Sequence, residues 1–324
     1  MTDGEVQPAG RERPPSVRIY SAGVPSPPFK AEPEAPYVDY AAELRAALAV
    51  AVEWLDSADK APRSILLFGH PGNGRAAFAR RLASVTWTKV ALDVAWVSFT
   101  AFGASQGETL ESAQRVTALS TERPLLLVLE DLDLVGVLGG SQELTVQVRD
   151  VLEKARELLK AAARPRRPLM VVATSRDPEK AVGELTPLRE SGAPATRLIY
   201  FNWPDENRVL QFYRALSVEQ CERVAGQIFK VADEDGVRYT AQSLITGAIR
   251  GAARIDRDTD GAKLADLVDE IRSKCCPVSI EVVNAYESAT SYYIELANIT
   301  VKELGKFPEP EAALQKVPSA RAAL

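Results

Sequence analysis

Residues 69–76, Gly-His-Pro-Gly-Asn-Gly-Arg-Ala, carry the densest chemical signal in the chain. Their outline is that of a phosphate-binding loop, G-x-x-x-x-G, running into a helix. Such a loop works because glycines let backbone N–H groups curl around an oxyanion at the positive end of the helix. Gly69, Gly72 and Gly74 supply that geometry, with His70, Pro71 and Asn73 between them. The next two positions depart from the pattern. A lysine ordinarily sets a compact charge on the β- and γ-phosphates, and a Ser or Thr hydroxyl ligates magnesium. Arg75 keeps the charge but is a broad planar fork, and Ala76 has no oxygen to offer a metal. The competing reading is a Gly-rich strand-to-helix turn that holds nothing.

A second acidic element lies further on. In "LLLVLEDLD", Glu130 and Asp131 stand at the carboxyl edge of a strand that is apolar on both faces. Ligands of open α/β sheets bind at that edge. The plainer alternative is a pair of solvated charges closing a strand. Trp203 and Pro204 read as packing at a domain junction, and the basic "RPRR" at 164–167 as a solvated helix end. His70 is the only histidine, which argues against a His-based zinc site, and Cys221, Cys275 and Cys276 form no metal-ligand pattern. No metal site is expected from protein ligands alone.

These residues need elements to position them, and the pattern supplies a parallel-sheet scaffold. "SILLFG" reads as a strand entering the loop, followed by the helix "GRAAFARRLASV". "VAWVSF", "RPLLLVLEDLDLV", "LMVVATSRD" and "RLIYFNWP" read as further strands, with helices near 107–119 and 141–163 between them. Strands alternating with helices argue for a five-stranded, doubly wound parallel sheet. After "WPDEN" the strands are expected to stop, and segments near 205–216, 218–230, 239–255, 262–274 and 278–304 read as helices. The expected division is a Pro-rich flexible arm over 1–36, an α/β nucleotide-binding-type domain over 37–203, a small all-helical lid over 204–307, and a frayed tail over 308–324.

The 324 residues suffice for two domains, and 46% hydrophobic with 26% charged residues is an ordinary globular balance. No apolar run approaches the roughly 20 residues that span a bilayer. No basic-then-apolar leader opens the chain, so a cytoplasmic, reducing setting is expected. A net charge of −5 argues against a broad nucleic-acid surface.

The order of these elements resembles the AAA family of ATPases from about residue 37 to 307. "APRSILLFGHPGNGRAAFARRLA" looks like its first signature, "RPLLLVLEDLDLV" like its Walker B strand and "VVATSRDPE" like its sensor 1 strand. "ELTPLRESGAPATRLIYFNWPDENRVLQFYRAL" is similar to the stretch leading into the helical lid, and "VSIEVVNAYESA" to the closing lid helix. The resemblance implies ATP or ADP at the loop, subunits assembled with themselves or with relatives, and polypeptide handling through a pore loop. The stretch matching that loop, "SFTAFGASQGE", is shortened, with Phe102-Gly103 as the candidate and Ser105 near the expected aromatic.

The departures from the family decide the expectation. Its Walker B pair is Asp for the magnesium shell, then Glu to activate water. Here the order is Glu130, then Asp131, which makes Asp131 a degenerate base. The sensor 1 position falls on Ser175 in place of Asn. Alignment of "PLRESGA" sets Glu190 and Ala193 where arginine fingers belong, with Arg189 as a candidate finger and Arg197 further on. So many replacements together leave little of the fixed electrostatics that phosphoryl transfer depends on. The expectation is a pseudo-ATPase subunit that acts by assembly, with ATP or ADP held weakly if at all and magnesium left open. Two alternatives stand beside it. One is a slow ATPase that uses Arg75, Glu130 and Asp131, and the other is a nucleic-acid clamp or loader, which the acidic balance disfavours.

Overall fold

The protein is described by a computed structural model over residues 17–20, 40–56, 62–90, 92–99, 123–133, 169–190, 193–215, 221–244 and 277–316. The expected helices at 107–119, 141–163 and 262–274, Phe102-Gly103, "RPRR" and Cys275-Cys276 lie outside these residues. Among the described residues, no helix is long and apolar enough to cross a membrane.

A six-stranded sheet organises the molecule. Its strands are β1 (Val17–Tyr20), β2 (Arg63–Gly69), β3 (Asp93–Ser98), β4 (Leu125–Glu130), β5 (Leu169–Ser175) and β6 (Arg197–Phe201), in the spatial order β1-β3-β4-β5-β2-β6. All neighbours run parallel except β1, which is antiparallel to β3. The five expected strands are present, and β1 is a sixth drawn from within the arm. Its residues "VRIY" are β-branched and aromatic between Pro-rich flanks, and they pair with the otherwise open edge of β3, Val17 opposite Val97.

The inner strands are apolar on both faces because both are covered. Ile65 and Leu67 of β2 join Val94, Leu126, Val128, Met170 and Val172 on one side. That side is covered by α1 (Ala41–Asp56), α2 (Arg75–Lys89) and α8 (Pro310–Lys316). Leu66 and Phe68 join Val97, Leu127, Leu129, Val171 and Ala173 on the other. There the cover comes from α3 (Pro178–Glu184), α4 (Thr186–Glu190) and α7 (Ile280–Leu304), through Ala181, Leu188 and Ala297. Each fully buried Leu or Phe of these layers contributes about 1.5–3 kcal/mol over its exposed state.

Beyond β6 the chain forms α5 (Glu206–Ala215) and α6 (Cys221–Glu234). The region is not wholly helical. Val237–Arg238 (β7) and Val278–Ser279 (β8) pair antiparallel, a ribbon too short for any sequence periodicity to show. Ser279 then caps α7, its hydroxyl accepting from the Val282 N–H at 3.4 Å. The last two helices return to the sheet: α7 lies along β6 and α1, and α8 packs on α1 and α2. The expected frayed tail is therefore an ordered helix through Lys316. Pro310 suits the first helical position, and Leu314 is fully buried.

Candidate functional site

Parallel registration brings the candidate residues to one edge. Phe68 pairs with Ser175, Gly69 with Phe201, and Leu129 with Ala173, so β2, β4, β5 and β6 end at one level. The loop 70–74 leaves β2 there and enters α2, whose cap, Gly74, provides no side-chain hydrogen bond. Gly69, Gly72 and Gly74 adopt φ of +148°, +88° and +93°. Close approach adds to the need for glycine: a Cβ on Gly72 would lie 2.9 Å from Thr240 Oγ1.

The loop is tied down from several sides. The buried Asn73 donates from Nδ2 to the Phe201 carbonyl (3.5 Å), and its Oδ1 accepts from the Ala241 N–H (3.3 Å). Tyr40 donates its hydroxyl to the Asn73 carbonyl (2.9 Å), and Gln242 its N–H to the Gly72 carbonyl (2.9 Å). The Tyr40 ring is buried edge-on against Phe201, with the Arg208 guanidinium 4.9 Å above it. On the other flank, the His70 ring lies 4.7 Å from Trp203 and 6.5 Å from Tyr286. Tyr286 donates its hydroxyl to the Arg176 carbonyl (2.8 Å), and burial pushes its phenol well above the usual range. His70 thus stands between an aromatic of the β6 exit and one of α7.

Arg75 and Asp131 meet inside this enclosure. Arg75 Nη2 is 3.7 Å from Asp131 Oδ1, with the two side chains 9% and 31% exposed. That is a loose ion pair, longer than the roughly 2.7–2.9 Å of a charge-assisted hydrogen bond. Burial lowers the Arg75 pKa despite Asp131, and burial raises the Asp131 pKa despite Arg75. Both directions say that desolvation outweighs the attraction across 3.7 Å. Arg75 Nη1 is buried without a hydrogen-bond partner among the described residues. Asp131 sits at φ +57°, a left-handed conformation, with its N–H donating to Thr174 Oγ1 (2.9 Å).

The other candidates face elsewhere. Glu130 Oε2 accepts from Trp96 Nε1 on β3 (3.2 Å), whereas the loop strand β2 lies beyond β5 on the opposite side of β4. Ser175 is fully buried and serves its own turn: its hydroxyl donates to the Asp177 carbonyl (2.7 Å) and accepts from the Asp177 N–H (2.9 Å). Asp133, also buried, accepts from the Arg176 N–H (3.0 Å) and lies 3.4 Å from Arg176 Nε. Arg189 is exposed at the last turn of α4, and Arg197 opens β6 at the end away from the loop. Sequence reasoning missed Tyr40, Thr240–Gln242 and Tyr286. No local motif marks them, because the folded topology alone brings them to the loop.

The solved structures include a crystal structure of the FIGL-1 AAA domain that is similar to this chain. The likeness covers 79% of this chain and 87% of that one, with a TM-score of 0.54 and 16% identity. The fold is of the AAA type. No family model matches the sequence, and no curated protein is similar to it. At 16% identity the likeness speaks for the AAA-type architecture and leaves the chemistry to the side chains of this chain.

One of those side chains gives a pH prediction for this loop. A carboxyl whose folded-state pKa is raised contributes stability that is fully present below the unfolded value and is lost as pH rises through the folded value. Asp131→Asn removes that loss. The variant is therefore expected to gain stability relative to the parent as pH rises from about 4, the ordinary aspartate value, through the raised native value. Denaturant unfolding of both proteins across this window checks it. A relative stability that moves the other way would mean that attraction to Arg75 outweighs burial.

Proposed function

We propose that this chain is an AAA-like, non-catalytic subunit that acts by protein–protein assembly and binds nucleotide weakly or not at all. The Arg75–Asp131 ion pair carries the reading. In this reading the cation that would meet phosphates instead faces, at 3.7 Å, the carboxylate that would activate water. The other candidate residues point the same way. Ala76 brings no oxygen, Glu130 is engaged by Trp96, and Ser175 by Asp177. In this reading the residues do not suit a magnesium ion, because the position that would ligate it is Ala76 and Glu130 is held on the β3 side.

A second reading, a slow ATPase, is favoured by one observation: the buried Nη1 of Arg75 has a donor to give to an oxyanion. Calorimetric titration with ATP and ADP, each with and without magnesium, separates the two. The proposed function expects no magnesium-dependent binding tighter than about 100 µM, or roughly −5.5 kcal/mol. Tighter magnesium-dependent binding, together with turnover that Asp131→Asn abolishes, would replace it with the ATPase.

A further inference from the structure

The 25-residue helix α7 buries one face and leaves another bare. Val283, Thr290, Ala297 and Thr300 are buried, Ala297 within the apolar cluster on the sheet. Roughly a third of a turn away runs an exposed stripe: Val282, Ala285, Ala289, Tyr292, Leu296 and Ile299. Four of its members are well open to solvent, Val282 53%, Tyr292 65%, Leu296 37% and Ile299 51%. The spacing alternates three and four residues without a break. That is the apolar seam of a helix packed against another helix.

We infer that this seam pairs α7 with α7 of a second copy of the chain, the two helices running antiparallel about a twofold axis near residues 290–291. The residue sizes favour this arrangement. The three small side chains lie in the first half of the seam and the three large ones in the second. Antiparallel pairing sets Ala289 against Tyr292, Ala285 against Leu296 and Val282 against Ile299, so every layer combines a smaller with a larger side chain. Parallel pairing would set Tyr on Tyr, Ala on Ala and Glu303 on Glu303. Charge agrees with the antiparallel sense. The exposed Glu281 and Lys302 flank the seam at its two ends, and the antiparallel register brings Lys302 of each copy beside Glu281 of the other. Antiparallel pairing is also isologous and so closes on itself as a dimer.

This inference deepens the assembly half of the proposed function and rests on that half alone; the nucleotide half is decided separately by calorimetry. The test is sedimentation velocity of the full chain over a roughly hundredfold range of concentration. The expected result is a monomer–dimer equilibrium. Leu296→Glu should abolish the dimer, and so should Tyr292→Glu, which leaves thermal unfolding of the monomer unchanged because that side chain is 65% exposed. Lys302→Glu should weaken association roughly three- to tenfold, and adding Glu281→Lys to that variant should restore it. A chain monomeric at every concentration, a dimer that survives Leu296→Glu, or a charge reversal that does not rescue would each overturn the pairing.

Discussion

Gly69→Ala is expected to cost about 2–5 kcal/mol of stability, a large share of the roughly 5–15 kcal/mol that holds a domain folded. The reason is geometric. At φ +148° the residue lies in a region that side chains rarely adopt, and an added Cβ would come 2.5 Å from the Phe201 carbonyl oxygen. That oxygen belongs to β6, whose backbone is registered with β2 residue by residue up to Gly69 itself, so it cannot retreat without breaking the ladder. The same substitution at Gly183 is the control. It lies in α3 with nothing within 4 Å of the place an added Cβ would take, so alanine there should be neutral or stabilising by up to about 1 kcal/mol. Chemical denaturation of the two variants measures the contrast. Equal midpoints would mean that the loop strand is not held as closely to β6 as the distance indicates.

The second large effect is placed at the far end of the chain. Leu314→Ala in α8 is expected to destabilise by about 2–5 kcal/mol, the range for a fully buried leucine that leaves a cavity. Leu314 belongs to the same apolar cluster as Phe78, Leu82 and Trp54, between α1 and α2. A frayed tail would give no change at all, so equilibrium unfolding distinguishes the two descriptions sharply. Loss of stability without a change in the denaturant slope would show that α8 unfolds together with the sheet.

How far the sequence reveals the molecule depends on where the information is stored. The five parallel strands are legible because burial on both faces makes "SILLFG", "LLLVLE" and "LMVVATS" continuously apolar, which few other environments permit. The loop is legible because left-handed backbone calls for glycine at Gly72 and Gly74. β1 is not, since four residues between prolines carry no period long enough to read. α8 left one signal, proline at the first helical position with Leu314 four residues on, beneath an overall polar, proline-spaced composition. At the site, the types were legible but their pairing was not. Arg75 and Asp131 meet only because β4 and β2 end level in one sheet, and Tyr286 reaches the loop only because α7 doubles back over β6. Glu130 shows the converse case. Its chain position at the strand's end suggested the loop, yet the neighbouring Trp96 holds it on the β3 side.

The two borders of the sheet bear on how the protein behaves when concentrated. An open strand border is a template for runaway pairing with other chains. Here one border is β1, only four residues long and carrying the exposed Arg18, and the other is β6, with α7 packed along it. Among the described residues, neither border offers a long, flat, unpaired ribbon on which fibrils could grow. Growth of an aggregate by adding strands to either border is therefore disfavoured.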